Sequence, residues 1–284
     1  MNEEYEKRSW VAEQRSLIAA ISLTGFMMAL EIIGSILSNS LALLSDAWHM
    51  FTDLLALTTC LIAGTLATKP PSLSKSFGYH RTEILAALGN GIVLLMVVFF
   101  VYYQAILRIL QPFEVKSFEM FTIALIGLSV NVASLSFLWG KARGLNVKAA
   151  FLHILGDALS SVGVVVAAIA ILFTGWYLAD PIASIIIGTI ILYGTVRMLK
   201  EVLHILLEGT PFKIDVKEVL NTIRGVKGVA DVHDLHIWSI TSYQNYLIAH
   251  IVVKREGLSN INEILNDVKL RLAKKFDISH TTLQ

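Results

Sequence analysis

Six apolar stretches, at residues 16–37, 41–66, 83–109, 119–139, 147–174 and 180–205, constrain this chain more than any other feature. Each is long enough to cross the roughly 30 Å hydrocarbon core of a bilayer as a helix. Backbone polar groups in lipid must be satisfied internally, so the expected architecture is a six-helix transmembrane bundle. Only 16% of the residues are charged and 55% are hydrophobic. A soluble domain carries about 25% charged residues, so the deficit fits lipid as the solvent. Helix breakers mark the boundaries at Pro70-Pro71, Pro112 and Asp180-Pro181. The link at Ser38-Asn39-Ser40 is short enough to make the first two spans a hairpin.

Residues 1–15 form a charged segment with a helical pattern. The apolar run after it is too long for a signal peptide and has no small-residue cleavage site. Basic residues orient the bundle. Lys7, Arg8 and Arg15 precede the first span; Lys69, Lys75 and Arg81 follow the second; Lys141, Arg143 and Lys148 follow the fourth. The alternate links hold only Arg108 and Lys116. The positive-inside rule then places both termini in the cytoplasm. A net charge of +1 gives no electrostatic case for a nucleic-acid partner. The single cysteine, Cys60, excludes an intramolecular disulfide and reads as apolar filler.

After Gly209-Thr210-Pro211 the composition becomes that of a soluble domain. A helix is expected within 212–227, then two alternating strands, VADVHDLHIWSIT and YLIAHIVVKRE, joined around Ser242 to Asn245. An amphipathic helix over Ile261 to Phe276 and a strand beginning near Ile278 complete the order αββαβ. That order folds as a small α+β, ferredoxin-like sheet with two helices on one face. The organisation is therefore a cytoplasmic segment 1–15, a transmembrane domain 16–208 and a cytoplasmic domain 209–284. So small a soluble core predicts dimerisation.

Polar residues interrupt this pattern where lipid penalises them most. LSDAWHMFTD, Leu44 to Asp53, carries Asp46, His49 and Asp53; FLHILGDALS, Phe151 to Ser160, carries His153 and Asp157. Residues four apart share a helix face, so each His-x-x-x-Asp presents an imidazole and a carboxylate together. Two such faces brought together suit a tetrahedral divalent ion, above all Zn²⁺. Two ionised aspartates and two neutral histidines carry −2, which one Zn²⁺ neutralises. The competing reading is tolerated polar residues in a core. Each mid-span aspartate costs about 2.5–3.5 kcal/mol on insertion scales, so a pair retained without a role is disfavoured. Asp46, one turn before His49, fits either as a group that orients His49 or as part of the entrance. Asn131 and Ser134 in the fourth span and Asn90 in the third fit pore lining or interhelical hydrogen bonds. Glu31 in the first span is placed facing the cavity.

Taken together, SDAWHMFTD, SFGYHRTEILAALGN, HILGDALSS, DPIASIIIG and DLHIWSIT resemble the cation diffusion facilitators, particularly their zinc-transporter branch. The resemblance spans nearly the whole chain. It implies a homodimer that exports divalent metal from the cytosol in exchange for protons, with His49, Asp53, His153 and Asp157 as transport ligands. It also implies a cytoplasmic zinc site at His233, His250 and His280. Strand parity places His236, three residues after His233, on the opposite face. The pattern departs from the family at Thr282, where some relatives have aspartate, which leaves that site short of an acidic ligand. By the same analogy Arg81 pairs with Glu208 in a charge interlock. The lone His80 on its basic loop reads as a solvated residue.

Bacterial cell-membrane location follows from this reading, as no organelle address is visible. Competing classes fit less well. An intramembrane zinc hydrolase needs an open metal position and a separate acid–base group, and no His-Glu-x-x-His occurs. A membrane-anchored metal sensor does not need paired ligands at mid-membrane. No nucleotide-binding Gly-x-x-x-x-Gly-Lys-Ser/Thr loop supports an ATP-driven pump. Cd²⁺ and Co²⁺ accept similar ligands and stay open beside Zn²⁺.

Overall fold

The computed structural model describes the backbone of residues 2–67, 72–138, 145–241 and 244–284. The expected break at Pro70-Pro71, the residues Lys69, Lys141 and Arg143, and the turn at Ser242-Tyr243 lie outside the described residues. So do the side chains of Lys7, Arg8, Arg15, Cys60, Lys148 and His153.

Six long helices come first: α1 (Asn2–Ser38), α2 (Leu41–Ala67), α3 (Thr82–Leu110), α4 (Ser117–Leu138), α5 (Leu145–Thr174) and α6 (Ala179–Leu206). The segment 1–15 is not a separate element. No proline stands between Asn2 and Ser38, and α1 runs through that stretch without a break. It ends where Asn39 adopts a left-handed φ of 55°, a conformation asparagine tolerates better than most residues. Among the described residues, five helices are long and apolar enough to cross a membrane: α1 from Ile21, and α3 to α6. α2 is not among these five, and many side chains of its second half lie outside the described residues.

The chain divides into two compact units, residues 1–62 with 89–197, and residues 63–88 with 198–284. Composition places a boundary near 208, whereas packing groups the ends of α2, α3 and α6 with the C-terminal residues. Ile84 of α3 and Val202 and Ile205 of α6 form an apolar cluster within this second unit. In the first unit α4 packs along α5, and α1 against α4. Its core joins Leu43, Val98, Met120, Val164, Ala168 and Ile187 from five helices. Phe26, Met96, Leu159, Phe173 and Ile190 are exposed, so these helices are apolar on their outer faces as well. A helix apolar all round is suited to lipid.

In the second unit, α7 (Val216–Arg224) is followed by β1 (Val229–Ser239), β2 (Asn245–Val253), a 3₁₀ turn at Arg255–Asn260, α8 (Ile261–Phe276) and β3 (His280–Leu283). Asp215 caps α7, its side chain accepting from the Lys217 amide at 2.8 Å. The sheet order is β1-β2-β3, with β1 antiparallel and β3 parallel to β2. A parallel neighbour needs a crossover, which α8 supplies. Val219, Ile223, Val268, Leu272 and Ile278 pack on Val232, Ile237 and Leu247 of the sheet.

Candidate metal centre

His49 and Asp53 lie one helical turn apart on α2, and Asp157 lies on α5. Their ligand atoms fall within 4.8 Å of one another. His49 Nε2 is 3.2 Å from Asp157 Oδ1. Donors around a tetrahedral Zn²⁺ with bonds of ~2.0–2.1 Å stand roughly 3.3–3.5 Å apart, so this spacing suits two ligands of one ion. His49 and Asp157 are partly buried, with 25% and 18% of their side chains exposed. His153 is one turn before Asp157 on α5, and its side chain lies outside the described residues.

A second layer of polar contacts supports this set. Asp46 is buried, and its carboxylate accepts from Ser160 Oγ at 2.6 Å and Ser161 Oγ at 3.3 Å. Asn131 Nδ2 of α4 donates to Ser161 Oγ at 3.2 Å. Asp46 and Asn131 thus belong to one network that ties α2, α5 and α4 together beside Asp157. Ser134 bonds back to the Val130 carbonyl of its own helix. Glu31 is 2% exposed, and its Oε1 lies 3.1 Å from where a Cβ on Gly127 would stand. A Cβ at position 127 would crowd this carboxylate and require it to shift by a few tenths of an ångström.

Asp180 is a structural group that sequence reasoning treated merely as a helix boundary. Its side chain is fully buried and accepts from Ser40 Oγ at 2.6 Å, Leu41 N at 2.8 Å and Ala42 N at 3.0 Å. Arg108 Nη1 donates to Asp180 Oδ2, which also accepts from Leu41 N, at 3.3 Å and to the Asn39 carbonyl at 2.6 Å. A carboxylate borrowed from α6 therefore caps the N-terminus of α2, three turns before Asp53. The Asp-Pro pair in the sequence was the available signal, but nothing local links it to Ser40.

In the second unit, Arg81 Nη2 donates to Glu208 Oε1 at 3.1 Å. His233 and His250 are cross-strand partners, their rings 5.1 Å apart and edge to face. His280 lies elsewhere on the sheet: it pairs with Tyr246 and stacks on that ring at 4.7 Å. The parity argument for His236 does not hold. β1 contains a bulge between His233 and His236, and both are exposed, while Val232 and Ile237 face the core.

A family profile described as the cation efflux transmembrane domain matches residues 17–207, and one described as the cation efflux protein cytoplasmic domain matches residues 211–284. The chain belongs to the cation diffusion facilitator family, in its zinc-transporter branch. It is 46% identical over 272 residues to a cadmium, cobalt and zinc/H(+)-K(+) antiporter of Bacillus subtilis, covering 94% of this chain and 87% of that one. It is 42% identical over 272 residues to the metal cation efflux system protein CzcD of Cupriavidus metallidurans, covering 95% and 86%. Against the zinc transporter ZitB of Escherichia coli the identity is 36% over 273 residues, covering 95% and 86%. A solved metal-bound C-terminal domain of CzcD is 41% identical, covers 25% of this chain and 96% of its own, and superposes with a TM-score of 0.24.

Proposed function

We propose that this protein is a homodimeric secondary transporter that exports Zn²⁺ from the cytosol in exchange for protons. It spans the plasma membrane of a prokaryote six times, with both termini cytoplasmic. α2 is the remaining span, carrying its polar residues inward toward the bundle. The transmembrane domain covers 16–208, after the segment 1–15, and the cytoplasmic domain 209–284 is ferredoxin-like. The observation that carries the reading is the convergence of His49, Asp53 and Asp157 within 4.8 Å on helices α2 and α5. His153 is the fourth ligand of the transported ion.

Exchange follows from the chemistry of these donors. Metal ligation requires deprotonated carboxylates and neutral imidazoles, so protons and Zn²⁺ compete for the same atoms. An imidazole with an ordinary pKa of about 6.5 titrates in the range that separates cytosol from an acidic exterior. Tilting of helices around a fixed site then lets metal enter from one side and protons from the other. Cd²⁺ and Co²⁺ are further substrates of the same donors, a reading favoured by the names of the Bacillus relatives.

Reconstitution tests this. Zn²⁺ uptake into vesicles is expected to run against an opposing proton gradient and to collapse when that gradient is dissipated. Uptake indifferent to the gradient rules out the exchange.

A further inference from the structure

The turn that ends α6 breaks a rule of helix termination. The Gly209 amide donates to the His204 carbonyl at 2.9 Å, and the Glu208 amide to the Ile205 carbonyl at 3.1 Å. These two backbone bonds close a helix when the residue after its last turn is left-handed. Glycine usually fills that position, because a Cβ crowds the following carbonyl. Here Glu208 fills it, at a φ of 59°, and the glycine stands one residue later. Gly209 lies outside the left-handed region, so its conformation does not call for glycine. Space does: a Cβ on Gly209 would fall on the imidazole of His204. That ring is held on two further sides. His204 Nε2 lies 2.7 Å from the Thr210 carbonyl, which only accepts, so Nε2 carries the hydrogen and donates it. The Phe212 ring stacks on the imidazole at 4.2 Å.

We propose that His204 is a positioning residue for transport: seated over Gly209 and bonded to Thr210, its ring latches Glu208 into the left-handed turn and so presents the Glu208 carboxylate to Arg81. The inference rests on the transport reading above. A non-glycine residue keeps left-handed backbone only where its surroundings over-determine it, and such strain gathers where a side chain is put to use. The use here is the 3.1 Å contact with Arg81, the residue just before α3. Glycine at 208 would relieve the strain but has no carboxylate to offer. Without the imidazole, Glu208 relaxes to right-handed backbone. The helix then continues by another residue, about 100° of rotation, and the side chain swings away from Arg81. The latch thus explains three residues together: a strained Glu208, a glycine at 209 that conformation does not require, and a histidine in the last turn of α6.

Two measurements on the full-length protein test this, the thermal midpoint in detergent for the latch and Zn²⁺ uptake in vesicles for its use. Gly209→Ala should lower the midpoint, and adding His204→Ala should recover most of that loss, because the ring no longer occupies the space. Glu208→Gly should melt roughly 2–4 °C above Glu208→Ala, since only alanine retains the left-handed strain. In the His204→Ala background that difference should disappear. Uptake should fall about two- to fivefold in His204→Ala, as in Glu208→Ala, the range over which an exposed ion pair biases a conformational equilibrium. The double variant should fall no further. Additive midpoint losses in Gly209→Ala and His204→Ala overturn the latch. Parental uptake in His204→Ala, or a further fall when Glu208→Ala is added, overturns its role in transport. A parent that takes up no Zn²⁺ fails the transport reading instead, and the midpoints still decide the latch.

Discussion

His49 Nε2 and Asp157 Oδ1 stand 3.2 Å apart although 108 residues separate them in the chain. Two partly buried groups that reach such a distance across two helices either pair with each other or share an ion. The two roles separate on mutation. Asp157→Ala and Asp53→Ala should each abolish Zn²⁺ uptake in vesicles while the protein still elutes as folded material, and flux surviving in either variant would falsify their assignment as ligands. Asp46 acts one contact further out. Ser160→Ala removes the 2.6 Å donor to its buried carboxylate. An unsatisfied buried acceptor costs about 1–3 kcal/mol, so a lowered thermal midpoint is expected, with Zn²⁺ uptake reduced but not lost. The pair of His-x-x-x-Asp patterns was legible in the sequence because helical spacing alone fixes which residues share a face. The contacts of Asp46 and Asn131 were not legible, since they depend on which turn of α2 and α4 meets Ser160 and Ser161.

Whole elements depend on groups that sequence pattern does not reveal. α2 carries three polar residues through an apolar environment, and its first turn is held by Asp180 of α6 together with its own Ser40, whose Oγ accepts from Leu43 N at 3.1 Å. Removing one partner of a buried charge pair typically costs about 3–5 kcal/mol, because the other is left uncompensated. Asp180→Ala should therefore lower the thermal midpoint far more than Glu208→Ala, whose carboxylate is 64% exposed. Equal, small shifts in the two variants would show that the cap does not hold α2. The β1 strand teaches a related lesson. Its alternation was readable up to His233, but a single inserted residue reverses parity, and only backbone pairing reveals the bulge. The αββαβ order, by contrast, was visible in the switch between periods of 3.6 and 2. Leu272, fully buried against the sheet, tests that core: Leu272→Ala should cost about 2–5 kcal/mol in chemical denaturation of the cytoplasmic domain.

For the molecule as a transporter, Arg81 and Glu208 stand where a membrane helix begins and another has just ended. Arg81 precedes α3, and Glu208 follows α6 with a left-handed φ of 59°. Their 3.1 Å contact is solvent-exposed, at 40% and 64% of the side chains. Such pairs contribute about 0–1 kcal/mol in water, too little to hold the fold. A small energy still matters if it holds the ends of two helices through a tilt, since it then biases an equilibrium between conformations and not one between folded and unfolded chain. The two roles predict different data. With the interlock, Arg81→Glu and Glu208→Arg each reduce Zn²⁺ uptake with almost no change in thermal midpoint, and the double swap restores uptake. With a merely ornamental contact, all three variants transport like the parent. Loss in both single variants without rescue in the double assigns each residue its own separate task, and the pairing is then wrong.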